Sequence, residues 1–203
     1  LRIHWIRDSL DNTAKIICPK SPLCPRDETC KPAQKNYIFN EMEDLRENIL
    51  LLKKYGFSDI VINVSYLSDL IINFIGYGEK YNVNINYSIE KPEPYETGGG
   101  IQNALSLLGN NPFLVINSDI YTNCNLSNII IDKHDLASLV MVKNPFHNKS
   151  GDFSLKNGRI FLASKNTMTY SGIGIYKPSI FSIIKPKKFK LSEILLKNIK
   201  NDK

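Results

Sequence analysis

From Glu41 to Ile116 the chain alternates helical and extended apolar periods, and this alternation restricts its fold more than any other feature. Between Glu41 and Tyr55 the residues Met42, Leu45, Ile49 and Leu52 recur at helical spacing. Acids occupy the first turn, Lys53 and Lys54 the last, and Gly56 supplies the stop. Asp59 to Val64 then reads as a short β-branched strand buried on both faces, as parallel sheets require. A helix is predicted over Leu67 to Ile75, a strand over Val83 to Ile89, a short helix over Ile101 to Leu108 and a strand over Phe113 to Ile116. Strand and helix taking turns predict an α/β fold with a doubly wound, mostly parallel sheet, which binds ligands beyond the carboxyl ends of its strands.

The rest of the chain departs from that rhythm. Leu139 to Lys143, Asp152 to Leu155, Arg159 to Leu162 and Thr169 to Tyr176 read as strands with little helix between them, so a mixed, partly antiparallel extension of the same sheet is expected. At the other end, Pro19, Pro22, Pro25 and Pro32 interrupt any period, and only Lys15 to Cys18 resembles a strand. The expected division is an atypical N-terminal segment, 1–36, and one domain, 37–203.

Charge and composition exclude several classes of function. With 203 residues, 42% of them hydrophobic, the chain can bury one sizeable core. Its net charge of +6 resides entirely in residues 177–203, which hold eight Lys against two acids. A charged closing segment of this kind reads as a solvated helix face, and nucleic acid is not expected as a partner. No apolar run reaches the length of a membrane span and no leader pattern opens the sequence, so the expected location is cytoplasmic, away from membranes. Cys18, Cys24, Cys30 and Cys124 match neither zinc nor redox spacing and read as free thiols.

Two segments stand where such a fold binds its ligand. In Glu96-Thr97-Gly98-Gly99-Gly100-Ile101 three glycines run into a predicted helix start. Glycines permit close backbone approach to a base or phosphate, and free helix N–H groups favour an anion or a carbonyl oxygen; a plain flexible turn has the same composition. In Phe113-Leu114-Val115-Ile116-Asn117-Ser118-Asp119 a buried strand runs into a carboxylate. Asp119 there suits a Mg²⁺ that also touches nucleotide phosphates, and it equally suits a helix cap or turn.

Taken in order, Gly56 to Asn63, Glu96 to Ile101, Asn117-Ser118-Asp119, Asn144-Pro145, Gly151-Asp152-Phe153 and Tyr170-Ser171-Gly172-Ile173 resemble the sugar-phosphate nucleotidyltransferase family over roughly residues 40–200. The resemblance implies a Rossmann-like fold of the nucleotide-diphospho-sugar transferase type. It implies transfer of a nucleotidyl group from a nucleoside triphosphate, UTP, to a sugar 1-phosphate, N-acetylmuramate 1-phosphate, with Mg²⁺ as cofactor and pyrophosphate as leaving group, in nucleotide-sugar biosynthesis and cell-wall recycling. Carried over by residue, Asp119 is the metal-binding and catalytic acid. Asn117 and the run Glu96, Thr97, Gly98, Gly99 and Gly100 are nucleotide-binding, while Asn144, Gly151, Asp152 and Gly172 are sugar-binding. Lys31, in Asp27-Glu28-Thr29-Cys30-Lys31-Pro32, matches a phosphate-contacting lysine and reads equally as an exposed loop residue. Lys190 falls in a matching stretch but reads more simply as part of a solvated face.

The sequence also departs from that family. Residues 1–30 contain no glycine, so no glycine-rich phosphate loop is expected there. Ser118 replaces the family's usual glycine, and the segment carrying its second metal-binding acid is not found before Lys203. Such a pattern is expected of a decayed or split reading frame, or of a chain completed by a partner. A non-catalytic remnant that binds nucleotide or sugar phosphate weakly, or not at all, is therefore the competing expectation.

Overall fold

A computed structural model describes residues 13–17, 32–65, 67–91, 94–165, 167–181 and 188–200 of the chain. The elements are β1 (Thr13–Ile17), α1 (Pro32–Lys54), β2 (Asp59–Val64), α2 (Ser68–Ile75), β3 (Asn84–Ile89), α3 (Glu96–Asn103), α4 (Leu105–Leu108) and β4 (Phe113–Asn117). They continue with β5 (Ala137–Val142), β6 (Phe153–Lys156), β7 (Arg159–Leu162), β8 (Thr167–Tyr176) and α5 (Leu191–Lys200). The strands join in one sheet, in the order β3-β2-β1-β4-β8-β6-β7, with β5 also paired to β8.

Pairing is parallel from β3 through β2 and β1 to β4. Every pair beyond β4 is antiparallel. The expected α/β layering with a mixed extension is thus the observed fold. Side-chain alternation explains its two layers. Ile60, Ile62 and Val64 of β2, Leu114 and Ile116 of β4 and Ile173 and Ile175 of β8 pack with Leu45, Ile49 and Leu52 of α1 and Ile75 of α2. On the other face Val61, Phe113, Val115 and Tyr176 meet Ile101, Ala104, Leu108, Phe189, Ile194 and Leu195. Burial on both faces is why β2 and β4 read as near-continuous apolar runs.

Three details differ from the sequence-based expectations. The first helix starts at Pro32 instead of Glu41, because proline lacks an N–H that the first helical turn does not use and so opens a helix as readily as it breaks one. Its first turn consequently holds no acid. The glycines Gly98 to Gly100 lie inside α3, not in a turn ahead of it. Finally, the division at residue 36 falls within α1, and Thr13–Ile17 is inserted between β2 and β4. That places the strand order reversal, with β2 and β3 on one side and β4 on the other, at β1.

No helix among the described residues is long and apolar enough to cross a membrane. Cys124 is a free, half-buried thiol whose pKa is raised by burial; Cys18, Cys24 and Cys30 lie outside the described residues. Lys190 is exposed just ahead of α5, its backbone N–H donating to Glu193 Oε1 at 3.0 Å.

Candidate active site

The carboxyl ends of the parallel strands line up. Ile17 of β1 is in register with Asn63 of β2 and with Asn117 of β4, and Asn63 with Ser88 of β3. By alternation Asn63 shares the face of Val61 and Asn117 that of Val115, the face covered by α3 and the Phe189 segment. Two strands at about 4.8 Å spacing put the two asparagines roughly 10 Å apart. Beyond Asn117 the chain turns, Ile120 N–H donating to Asn117 O at 3.2 Å. Ser118 is buried and keeps its φ outside the left-handed region, so a residue with a Cβ fits where the family has glycine. Asp119 is exposed at the crest of the turn.

β8 closes one side of this edge. Its last pairing with β4 is Ile173 to Ile116, so residues 167–172 run on past the end of β4 as a wall. Gly172, at φ +85°, lies against Asn117: a Cβ there would come within 2.9 Å of Asn117 Nδ2 and 3.3 Å of Ile120 Cδ1. The glycine therefore lets β8 pass directly beside the end of β4.

The glycine helix is built differently from a free anion cradle. α3 is entered through Glu96 at φ +63°, a left-handed conformation rare for a residue with a side chain. Gly99 N–H donates to Phe189 O at 3.1 Å, and Phe189 N–H donates to Tyr95 O at 3.1 Å. The carbonyl taken by this helix start is thus one of the protein's own. Gly98 is bare because the Phe189 ring fills the space of its Cβ, 2.6 Å from Cδ2. Gly100 is bare because Glu90 Oε1 and Asn63 Nδ2 fill its space, the latter at 2.8 Å. Asn63 and Glu90 are 5% and 4% exposed and form one buried unit. Asn63 Nδ2 donates to Glu90 Oε1, and Glu90 Oε2 accepts from Tyr95 N–H at 2.6 Å. Thr97 is half-buried in the first turn of α3.

Asn144, Gly151 and Asp152 come together beyond β5 in a second polar cluster. Asn144 Nδ2 donates to Thr167 Oγ1 at 3.0 Å and to Lys149 O at 3.2 Å, while its Oδ1 accepts from Thr169 Oγ1 at 3.0 Å. Asp152 Oδ1 accepts from Asn148 Nδ2 at 2.9 Å, and Oδ2 accepts from Tyr170 N–H at 2.8 Å. Gly151, at φ +63°, would bring a Cβ to 2.6 Å from Asn144 Oδ1. These groups pin the 145–152 loop to the projecting half of β8. Asn144→Ala removes three hydrogen bonds at a half-buried site, so it is expected to cost about 2 kcal/mol. Urea unfolding with an unchanged slope and a lower midpoint is the result that checks this.

Asn117 and Gly172 therefore meet at the end of β4 with Asp119 exposed two residues beyond, Glu96 to Gly100 form one helix on the same face as Asn117, and Asn144, Gly151 and Asp152 lie farther along β8. Lys31 lies outside the described residues. Sequence reasoning missed Asn63 and Glu90. The polar Asn63 closing the apolar run Ile60-Val61-Ile62 was a visible signal, whereas nothing near Glu90 in sequence marks it as buried.

A doubly wound sheet with polar groups and a free-standing acid across its carboxyl edge belongs to the class of α/β domains that take their ligand at the switch in strand order. Residues 38–151, more than half of the chain, match the Nucleotidyl transferase family, and the chain belongs to that family. It is 43% identical over 138 residues to N-acetylmuramate alpha-1-phosphate uridylyltransferase of Neisseria meningitidis serogroup B, covering 64% of this chain and 60% of the relative. It is 27% identical over 156 residues to D-glycero-alpha-D-manno-heptose 1-phosphate guanylyltransferase of Campylobacter jejuni, covering 73% and 69%. Its fold matches the inositol-1-phosphate CTP transferase from T. maritima with a TM-score of 0.73 at 13% identity, over 94% of this chain and 82% of that one.

Proposed function

We propose that the chain forms the substrate-binding portion of a sugar-1-phosphate uridylyltransferase, acting on UTP and N-acetylmuramate 1-phosphate in the cytoplasm. The observation that carries the reading is the exposed carboxylate of Asp119 just past β4, beside Asn117 and at the reversal of strand order. The likeness to the uridylyltransferase supports the choice of base and sugar. In the reaction a phosphate oxygen of the sugar 1-phosphate forms a bond to the α-phosphorus of UTP. The bond from that phosphorus to the α,β-bridging oxygen breaks, and pyrophosphate leaves with the electron pair.

Asp119 is the residue that would hold Mg²⁺. It presents hard oxygen donors, is exposed, and makes no hydrogen bond or ion pair to another described residue. One carboxylate with substrate phosphates and waters is a usual Mg²⁺ donor set, and the ion supplies neutralisation of phosphate charge. Asn117 faces the nucleotide from the strand end. The helix Glu96 to Gly100, braced by Phe189 and by the Asn63–Glu90 unit, offers the base a fixed wall. The 145–152 loop, pinned through Asn144 and Asp152, flanks the sugar.

Pyrophosphate release from UTP with N-acetylmuramate 1-phosphate, set against GTP, CTP and other sugar 1-phosphates, tests the proposal. Release with the named pair above all others is expected; equal release from every pair, or release with another pair alone, contradicts the assignment. A second reading, binding without turnover, is favoured by one observation: residues 1–30 contain no glycine from which a phosphate-cradling loop could be built. UTP binding with no pyrophosphate release from any pair is its signature.

A further inference from the structure

We infer that Asn48 is a positioning residue for Asp119, an inference that rests on the reading of Asp119 as the Mg²⁺ ligand. Asn48 belongs to the buried face of α1, among Leu45, Ile49 and Leu52, and is itself 3% exposed. An amide in such a stripe costs stability unless it is bonded, and an apolar residue of the same shape would fill the position more cheaply. Its side-chain bond among the described residues is long-range: Asn48 Nδ2 donates to Ser118 O at 3.0 Å, joining positions 70 apart in sequence.

That carbonyl belongs to the peptide linking Ser118 to Asp119. The turn has a second tie, Ile120 N–H to Asn117 O at 3.2 Å. Together the two bonds hold the peptides on both sides of the Asp119 Cα, through Ser118 O and Ile120 N–H, and with them the direction in which the Asp119 side chain leaves the turn. Ser118 is 4% exposed, so water does not readily replace the amide. Asp119 itself makes no bond to another described residue. Its orientation is therefore set by its backbone, and the backbone is held from α1. Groups that orient a metal-binding side chain in this way typically change metal affinity roughly ten- to hundredfold when removed.

The test measures UTP affinity calorimetrically in Mg²⁺ and in EDTA, for the parent, Asn48→Leu, Asp119→Ala and the double variant. Asn48→Leu is expected to reduce the Mg²⁺-dependent gain in UTP affinity by about tenfold, to leave the affinity in EDTA at the parent value, and to add nothing in the Asp119→Ala background. Asn48→Ser, which is small enough to admit a bridging water, should recover part of the gain. An Asn48→Leu variant that retains the parent's full gain overturns the inference. So does one that loses affinity equally in EDTA, because the amide then serves the fold alone. Failure of both Asn48 variants to fold overturns it for the same reason. A parent with no Mg²⁺-dependent gain overturns the reading of Asp119 itself and this inference with it, whereas a parent gain that Asn48→Leu leaves untouched overturns only the inference.

Discussion

Gly100→Val should destabilise the protein by about 3 kcal/mol or more, the sum of overpacking in a full interior and of a broken buried polar pair. The first atom of any side chain at 100 enters the space held by Glu90 Oε1 and comes within 2.8 Å of Asn63 Nδ2. Neither partner has room to withdraw, being 4% and 5% exposed, and Glu90 is also tied to Tyr95 N–H. Thermal melting should show a midpoint lower by roughly 6–12 °C, at 2–4 °C per kcal/mol for a chain of this size. A variant melting with the parent would mean that the Asn63–Glu90 unit does not back the helix. The sequence alone suggests another reason for these glycines, close approach of a ligand. Gly98 and Gly100 are bare for the protein's own packing, against Phe189 and against Asn63 and Glu90.

That contrast marks the boundary of what was legible. Apolar period and β-branching located β2, β3 and β4, because a strand buried on both faces leaves its mark in consecutive residues. The carboxylate after β4 was legible for the same reason, since it directly follows such a strand. The contacts behind Gly98 and Gly100 were hidden, because Phe189 and Asn63 are distant in sequence and nothing local encodes their arrival. The start of α1 was hidden in another way: proline carries two opposite meanings, helix breaker and helix opener, and only the tertiary setting selects one. The resemblance identified Asn144, Gly151 and Asp152 as a group, yet their mutual hydrogen bonds, which hold a loop, required three dimensions.

Asp119→Ala is the second large effect expected. The carboxylate is exposed and makes no bond to another described residue, so its loss should leave the melting temperature within about 2 °C, as for surface changes within ±0.5 kcal/mol at 2–4 °C per kcal/mol. Function should respond far more strongly. On the proposed reading Asp119 holds the Mg²⁺ that neutralises charge on the transferring phosphate, and loss of one preorganised stabilising group of that kind typically lowers turnover about 10²- to 10³-fold. Any pyrophosphate release by the parent should accordingly fall below a hundredth, with the fold intact by circular dichroism.

The most direct test of the proposed nucleotide site at the end of β4 is a titration of UTP into the parent and into Asp119→Ala, each in Mg²⁺ and in EDTA. The parent should bind UTP more tightly in Mg²⁺ than in EDTA, and Asp119→Ala should bind it equally in both. Equal, metal-independent binding by parent and variant would contradict the account and leave Asp119 a turn residue.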